Sequence, residues 1–184
     1  MIWFYLLVQL ILVILMIAGA IQFFNILFRG HAPFIITRPK VAKTIAEELK
    51  LKPGDVVYEL GSGTASILKR LAKKYPRAKY YGIEYALIPW LIAKIQLSLF
   101  NHRIKVIKKN FFDADLSQAD YIYCFLNIDT MVKLETKLLR ECKKNAELIS
   151  YVFRLPNIKP YKTILVGKSH IYFYLLRPWL IGKN

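Results

Sequence analysis

Two carboxylates and two glycines in this sequence are spaced for chemistry. The run Val56-Val57-Tyr58-Glu59-Leu60 is β-branched and aromatic, carries an acid near its end, and breaks into Gly61-Ser62-Gly63-Thr64. Such residues favour a strand, and glycines one residue apart allow positive φ and close backbone approach to a ligand. A second apolar run, Lys79-Tyr80-Tyr81-Gly82-Ile83, closes on Glu84, 25 residues after Glu59. An acid at the end of the second strand of a βαβ unit is placed to hold a ribose diol. Between the strands the sequence predicts a helix over about 65–75 whose unpaired N–H groups point at the glycine loop. Gly-x-Gly by itself also marks ordinary turns; the second acid at this spacing is what points to a nucleotide.

Dinucleotides and S-adenosylmethionine both use this layout, and the details separate them. A dinucleotide loop wants Gly-x-Gly-x-x-Gly so that a helix N-terminus can hold a pyrophosphate, and Ser66 stands where the third glycine belongs. Glu59 would repel phosphate, yet it suits the cationic amino acid end of S-adenosylmethionine. The stretch resembles the first motif of class I methyltransferases, acid-x-Gly-x-Gly-x-Gly, with Ala65 where the last glycine is usual. The resemblance implies S-adenosyl-L-methionine as cofactor and Glu59, Gly61, Ser62, Gly63, Thr64 and Glu84 among its contacts, with Tyr85 beside the ribose acid.

The remaining elements must frame that loop. Thr37 with Pro39 two residues later is a helix start signal, and the helix runs to about Lys50 before the turn Lys52-Pro53-Gly54-Asp55. Past Glu84, a helix reaching Phe100 places apolar positions 87, 88, 91, 92, 95 and 99 near one face. A third strand, about 104–108, opens into Asn110-Phe111-Phe112-Asp113. There Asn110 can accept the adenine N6 hydrogens while Phe111 packs the ring; the alternative is that Asn110 caps a turn and the phenylalanines are core. A fourth strand, about 121–126, ends at Leu126 and then Asn127, which is expected to face the transferred methyl and orient the acceptor, while Asp129 is expected to cap the next helix. A fifth strand, about 147–153, leads into a loop carrying Phe153, Pro156 and Pro160, a candidate cover for the substrate mouth. Runs at about 162–166 and 171–176 meet at Gly167-Lys168-Ser169 as a hairpin. The predicted fold is α/β: a Rossmann-like class I methyltransferase sheet of five parallel strands plus a C-terminal antiparallel hairpin.

Composition adds a membrane. The chain has 184 residues, 55% of them hydrophobic, with a positive mean hydropathy. Residues 2–28 carry no charge, more than the ~20 residues that cross a bilayer as a helix. The fifteen Leu, Ile, Val and Phe residues between positions 2 and 24 favour insertion by about 5–9 kcal/mol before polar costs. A cleaved signal peptide and a buried core helix are the alternatives; the absence of an early basic region argues for an uncleaved anchor. The expected organisation is an anchor over 1–28 and a methyltransferase domain over 29–184. Arg29, Arg38, Lys40 and Lys43 follow the anchor, which places the domain on the cytoplasmic side. A formal charge of +16 suits nucleic acid or an anionic lipid surface, and the anchor favours lipid. Cys124 and Cys142 share no metal spacing, no metal site is expected, and His31, His102 and His170 are scattered.

From about Ala32 onward the chain resembles the small, membrane-anchored lysine methyltransferases of the adenine nucleotide translocase and of the ATP synthase c subunit, and their prokaryotic relatives. The landmarks are Pro33-Phe34 with Thr37, Lys52-Pro53-Gly54-Asp55-Val56-Val57-Tyr58, Gly61-Ser62-Gly63, Gly82-Ile83-Glu84, Asp115-Leu116-Ser117, Leu134-Glu135 with Lys137-Leu138, and Phe153 with Pro156 and Pro160. The resemblance implies N-methylation of lysine on a membrane-associated protein, with Thr37 in the cofactor shell. Thr64-Ala65-Ser66 replaces the usual Asp-Gly-Arg, which keeps open a tethered binding module without catalysis. Methylation of a lipid amine or isoprenoid headgroup is a further alternative. Nucleic acid is disfavoured, because Asn127-Ile128-Asp129-Thr130 stands where base methyltransferases carry Asn/Asp-Pro-Pro-aromatic.

Overall fold

The computed structural model describes residues 1–29, 37–100 and 103–177. The landmark Pro33-Phe34 and the histidines at 31 and 102 lie outside them. The chain divides into two units, 1–35 and 36–184. In the first, helix α1 (Ile2–Arg29) is continuous over 28 residues, about 42 Å at 1.5 Å per residue. Its stretch Ile2–Ile21 has a mean hydropathy of 2.7 and none of it is buried within the protein. By length and composition it is sufficient to cross a bilayer.

The second unit is a seven-stranded mixed sheet. Strands β1 (Val56–Leu60), β2 (Lys79–Glu84), β3 (Ile104–Lys108), β4 (Tyr121–Cys124), β5 (Glu147–Tyr151), β6 (Lys162–Val166) and β7 (Ser169–Leu175) lie in the order β3-β2-β1-β4-β5-β7-β6. The first five are parallel, and β7 is antiparallel to both β5 and β6. This is the sheet the sequence predicts. Strand order reverses between β1 and β4, so a crevice opens beyond their carboxyl ends.

Helices α2 (Pro39–Glu48), α3 (Ser66–Lys74), α4 (Leu87–Phe100) and α5 (Ile128–Glu141) cover the sheet. Pro39 starts α2 with its φ already helical, and Val41, Ala42, Ile45 and Ala46 form the buried stripe. In α3 the same spacing buries Ile67, Leu68, Leu71 and Ala72. Both share a core with Val57, Tyr80, Tyr123 and Ile149 of the sheet, joined by Leu97 of α4. The opposite core gathers Met131, Leu134 and Leu138 of α5 with Leu60, Ile83, Ile122 and Leu148. Cys124 and Cys142 are part of it, and burial pushes both thiols up to about 12, leaving them as small apolar side chains at neutral pH.

Three local details differ from expectation. The cap of α5 is Asn127, whose side chain accepts from Thr130 N–H, and Asp129 sits inside the first turn. Strands β4 and β5 each stop two residues early, β4 at Cys124, which leaves Leu126 in the following loop, and β5 at Tyr151 because Val152 takes φ 74°, a conformation a β-branched residue rarely adopts. The apolar face of α4 exists, but it points away from the sheet: Leu87, Ile88, Leu91, Ile92, Ile95 and Leu99 are all exposed, while Ala93 and Leu97 are buried. Exposure therefore sets the cost of truncation on each helix. Leu138→Ala, at a fully buried position, is expected to lose about 2–5 kcal/mol, and Leu91→Ala to stay within about 0.5 kcal/mol, as read by chemical denaturation in detergent.

Candidate functional site

The crevice at the carboxyl ends of β1, β2 and β4 collects most of the chemistry-bearing residues. Gly61 and Ser62 N–H groups both donate to the Ile83 carbonyl (2.9 and 3.0 Å), so the loop after β1 is pinned to β2. Gly61 (φ 66°), Gly63 (φ 52°) and Ala65 (φ 58°) are all left-handed. Ala65 is a methyl group where a capping side chain would stand, and it makes no side-chain cap to α3. Glu59 replaces it: its carboxylate accepts from Leu68 N–H at 3.4 Å, at the positive end of the helix dipole.

Glu59 is almost wholly buried. Burial pushes its carboxyl from about 4.5 up to about 8, with the α3 N–H groups pulling the other way and Glu84 adding repulsion. Close to Glu59 lies Tyr123, whose hydroxyl shares a 2.8 Å hydrogen bond with Thr37 Oγ1. Thr37 thus reaches the loop region through a β4 tyrosine that sequence reasoning did not single out. A tyrosine among the apolar residues of a strand gives no such signal.

Glu84 is buried at the end of β2. One carboxylate oxygen accepts from Gly63 N–H at 2.8 Å and the other from Ala86 N–H at 2.7 Å. It thereby joins the glycine loop to the start of α4. Its neighbour Tyr85 is half-exposed. The Glu84 carbonyl accepts from Lys109 N–H at 3.1 Å, which brings the 110–113 turn alongside. Asn110 Oδ1 caps that turn by accepting from Phe112 N–H at 3.0 Å, and the Phe111 and Phe112 rings meet at 4.6 Å. Asn110 and Phe111 are therefore beside Glu84, with the amide oriented by its own turn.

Across the crevice, a Cβ added to Gly61 would meet Leu126 Cδ2 at 3.4 Å. Leu126 is buried, and Asn127 follows it with Oδ1 held 2.9 Å from Thr130 N–H. Thr64 is half-buried in the loop. Gly82 is a second residue the sequence reading passed over as to role: a Cβ there would lie 2.7 Å from Ser62 Oγ. A glycine inside a strand marks such close approach, and this one makes room for Ser62. Ser62 Oγ is buried against Gly82 and has no hydrogen-bond partner among the described residues, a polar atom that a ligand group or water would have to satisfy.

The loop after β5 is held more firmly than its prolines require. Phe153 N–H donates back to the Tyr151 carbonyl at 3.0 Å around Val152, a γ-turn of the rare positive-φ kind. Ser150 Oγ donates to the Phe153 carbonyl at 2.6 Å. Leu155 N–H donates to Tyr174 Oη and Asn157 N–H to Glu135, at 3.1 and 3.0 Å. Phe153 is thereby fixed half-buried at the end of β5, with Pro156 exposed beyond it.

A family model, the ANTKMT methyltransferase domain, matches residues 59–162, from the loop acid to the start of β6. The chain belongs to that family. A protein-lysine N-methyltransferase of Saccharolobus islandicus is 29% identical over 152 residues, 79% of this chain and 94% of the relative. The human lysine N-methyltransferase of the ATP synthase c subunit is 27% identical over 147 residues, 77% of this chain but 60% of the longer human protein. Among solved structures, an RNA methyltransferase from Salinibacter ruber in complex with S-adenosyl-L-homocysteine superposes with a TM-score of 0.73 at 22% identity. It covers 77% of this chain and 94% of that one, a likeness of fold.

The chain is accordingly an S-adenosylmethionine-dependent methyltransferase. The residues present fit that cofactor: a left-handed glycine loop, the unsatisfied Ser62 hydroxyl, and a buried acidic side chain near the end of each of the first two strands. The Glu59 proton also makes a measurable mark. The native carboxyl titrates near 8 against about 4.5 when ordinary, so between those values the native state holds the extra proton and stability falls as pH rises. Glu59→Gln keeps the acceptor for α3 and removes the titration. Its melting temperature is expected to match the parent near pH 4.5 and to exceed it by several degrees at pH 9, in thermal scans across that range.

Proposed function

We propose that this chain is a membrane-anchored protein-lysine N-methyltransferase acting on a membrane-associated protein. The family match and the two lysine methyltransferase relatives support the reaction; α1, apolar over Ile2–Ile21, supports the anchor. In this reading residues 1–28 tether the enzyme, residues 29–184 form its methyltransferase domain, and that domain faces the cytoplasm.

The observation that carries the site assignment is Glu84, buried at the β2 terminus and shared by two loop N–H groups. Glu84 holds the ribose, with Tyr85, Asn110 and Phe111 around the adenine. Glu59 and Thr37 serve the amino acid end, and Gly61, Ser62, Gly63, Thr64 and Leu126 line the middle. The cofactor supplies an electrophilic methyl on a sulfonium. The protein's own contribution is positioning, which can supply about 7–11 kcal/mol. A lysine acceptor of pKa ~10.4 costs about 4.6 kcal/mol to deprotonate at pH 7, a cost that an apolar pocket lowers. Asn127, fixed at the α5 cap, orients the amine, and Phe153 and Pro156 border the substrate mouth.

The test is methyl transfer from radiolabelled S-adenosylmethionine into membranes of the source cell, with protein and lipid fractions separated. The expected outcome is label in a protein band that yields N-methyl-lysine on hydrolysis, lost with Asn127→Ala by about 10-fold or more. Label confined to the lipid extract would instead assign a lipid amine or isoprenoid headgroup, and no transfer by a protein that binds the cofactor would leave a tethered binding module.

A further inference from the structure

We infer that α4 is a second membrane contact, an interfacial helix that lies on anionic headgroups and holds the cofactor crevice at the bilayer surface. The inference rests on the membrane reading of α1 but not on which acceptor is methylated. Helix α4 is mostly apolar, its polar residues being Lys94, Gln96 and Ser98, and helices so apolar are ordinarily buried all round. Here only one side has a protein partner. Leu87, Ile88, Leu91, Ile92, Ile95 and Leu99 fall within an arc of about 140°, and each is between 41% and 68% exposed. The opposite side is fixed to the domain. Ala93 and Leu97 are buried, Trp90 Nε1 donates to the Val106 carbonyl at 3.2 Å, and Lys69 Nζ donates to Gln96 at 2.6 Å. The stripe is therefore held outward by a rigid backing.

Charge identifies what covers it. From Tyr85 to Phe112 the sequence contains Lys94, Arg103, Lys105, Lys108 and Lys109 and no carboxylate. Lys94 lies over the Trp90 ring at 4.9 Å, beside the stripe, and the other four are exposed on or next to edge strand β3, on which α4 packs. An apolar stripe bordered by cations is the pattern of helices that bury one face at the headgroup boundary of anionic bilayers. Asp113 and Asp115 follow this stretch, Asp115 within electrostatic reach of Lys109, but the five cations outnumber them, and a second copy of the chain is a poorer occupant because a two-fold interface would set this net cationic border against itself. The placement has a functional consequence. The α4 N-terminus lies three residues after Glu84 and is tied to it through Ala86 N–H, so a helix resting on lipid keeps the mouth of the crevice at the surface where a membrane-embedded acceptor emerges.

The experiment uses the full chain reconstituted in vesicles containing phosphatidylglycerol, with a nitroxide on Leu91→Cys or Ile95→Cys and, for comparison, on Val132→Cys, an exposed site on α5. Cys124 and Cys142 are buried and resist labelling; an unchanged melting transition confirms the fold of each variant, and alkaline carbonate extraction reports whether the chain is inserted at all. The expected result is a several-fold higher ratio of oxygen to water-soluble nickel collisions at 91 and 95 than at 132, reduced in purely phosphatidylcholine vesicles. Inserted protein whose 91 and 95 labels are as aqueous as 132 would overturn the inference while leaving the anchor intact. Labels at 91 and 95 shielded from both reagents would overturn it in favour of a protein partner, and equal depth in neutral vesicles would overturn the anionic requirement. Release by carbonate would instead remove the anchor reading on which the inference rests.

Discussion

The site depends on one buried carboxylate with two backbone donors. Glu84 accepts from Gly63 and from Ala86, so the loop that ends β1 and the helix that follows β2 are fixed to the same side chain. Hydrogen bonds to a charged acceptor are the stronger kind, and their loss leaves buried donors unpaired. The pairing of Gly61 and Ser62 with Ile83 adds a second tie between the same strands. The space under the loop is secured by Gly82, whose missing side chain leaves room for Ser62.

Much of this was legible in the sequence because the residues involved have few other uses. A β-branched run carrying Glu59, two glycines one residue apart and an acid closing the next strand specify β1, its loop and β2 together; alternating apolar runs and turns mark the remaining strands, and their topology is what the resemblance to class I methyltransferases implies. The alternation also gave the bounds of β3 and β6 to the residue. Where a strand ended on a tertiary feature, the sequence was silent: β5 stops at Tyr151 because of the Val152 γ-turn, and nothing in a valine announces positive φ.

Two features were illegible for a more general reason. The engagement of Glu59 with the α3 terminus arises because Ala65 offers no cap, a conclusion that requires knowing where the helix begins. For α4 the periodicity identified an apolar face but not the medium it meets. A hydrophobic pattern reports what a face avoids, and only the packing of Ala93, Leu97 and Trp90 on the domain reveals that the larger apolar face is the one left outside.

The central claim is that the Glu84-braced loop is the cofactor site, and titration calorimetry with S-adenosylhomocysteine tests it most directly, comparing the detergent-solubilised chain with Glu84→Ala. The account predicts one-to-one binding by the parent and at least a 100-fold loss, about 2.7 kcal/mol, in a variant whose secondary structure is retained. Equal affinity in the two proteins would contradict it, because the ribose would then be held by some other part of the fold.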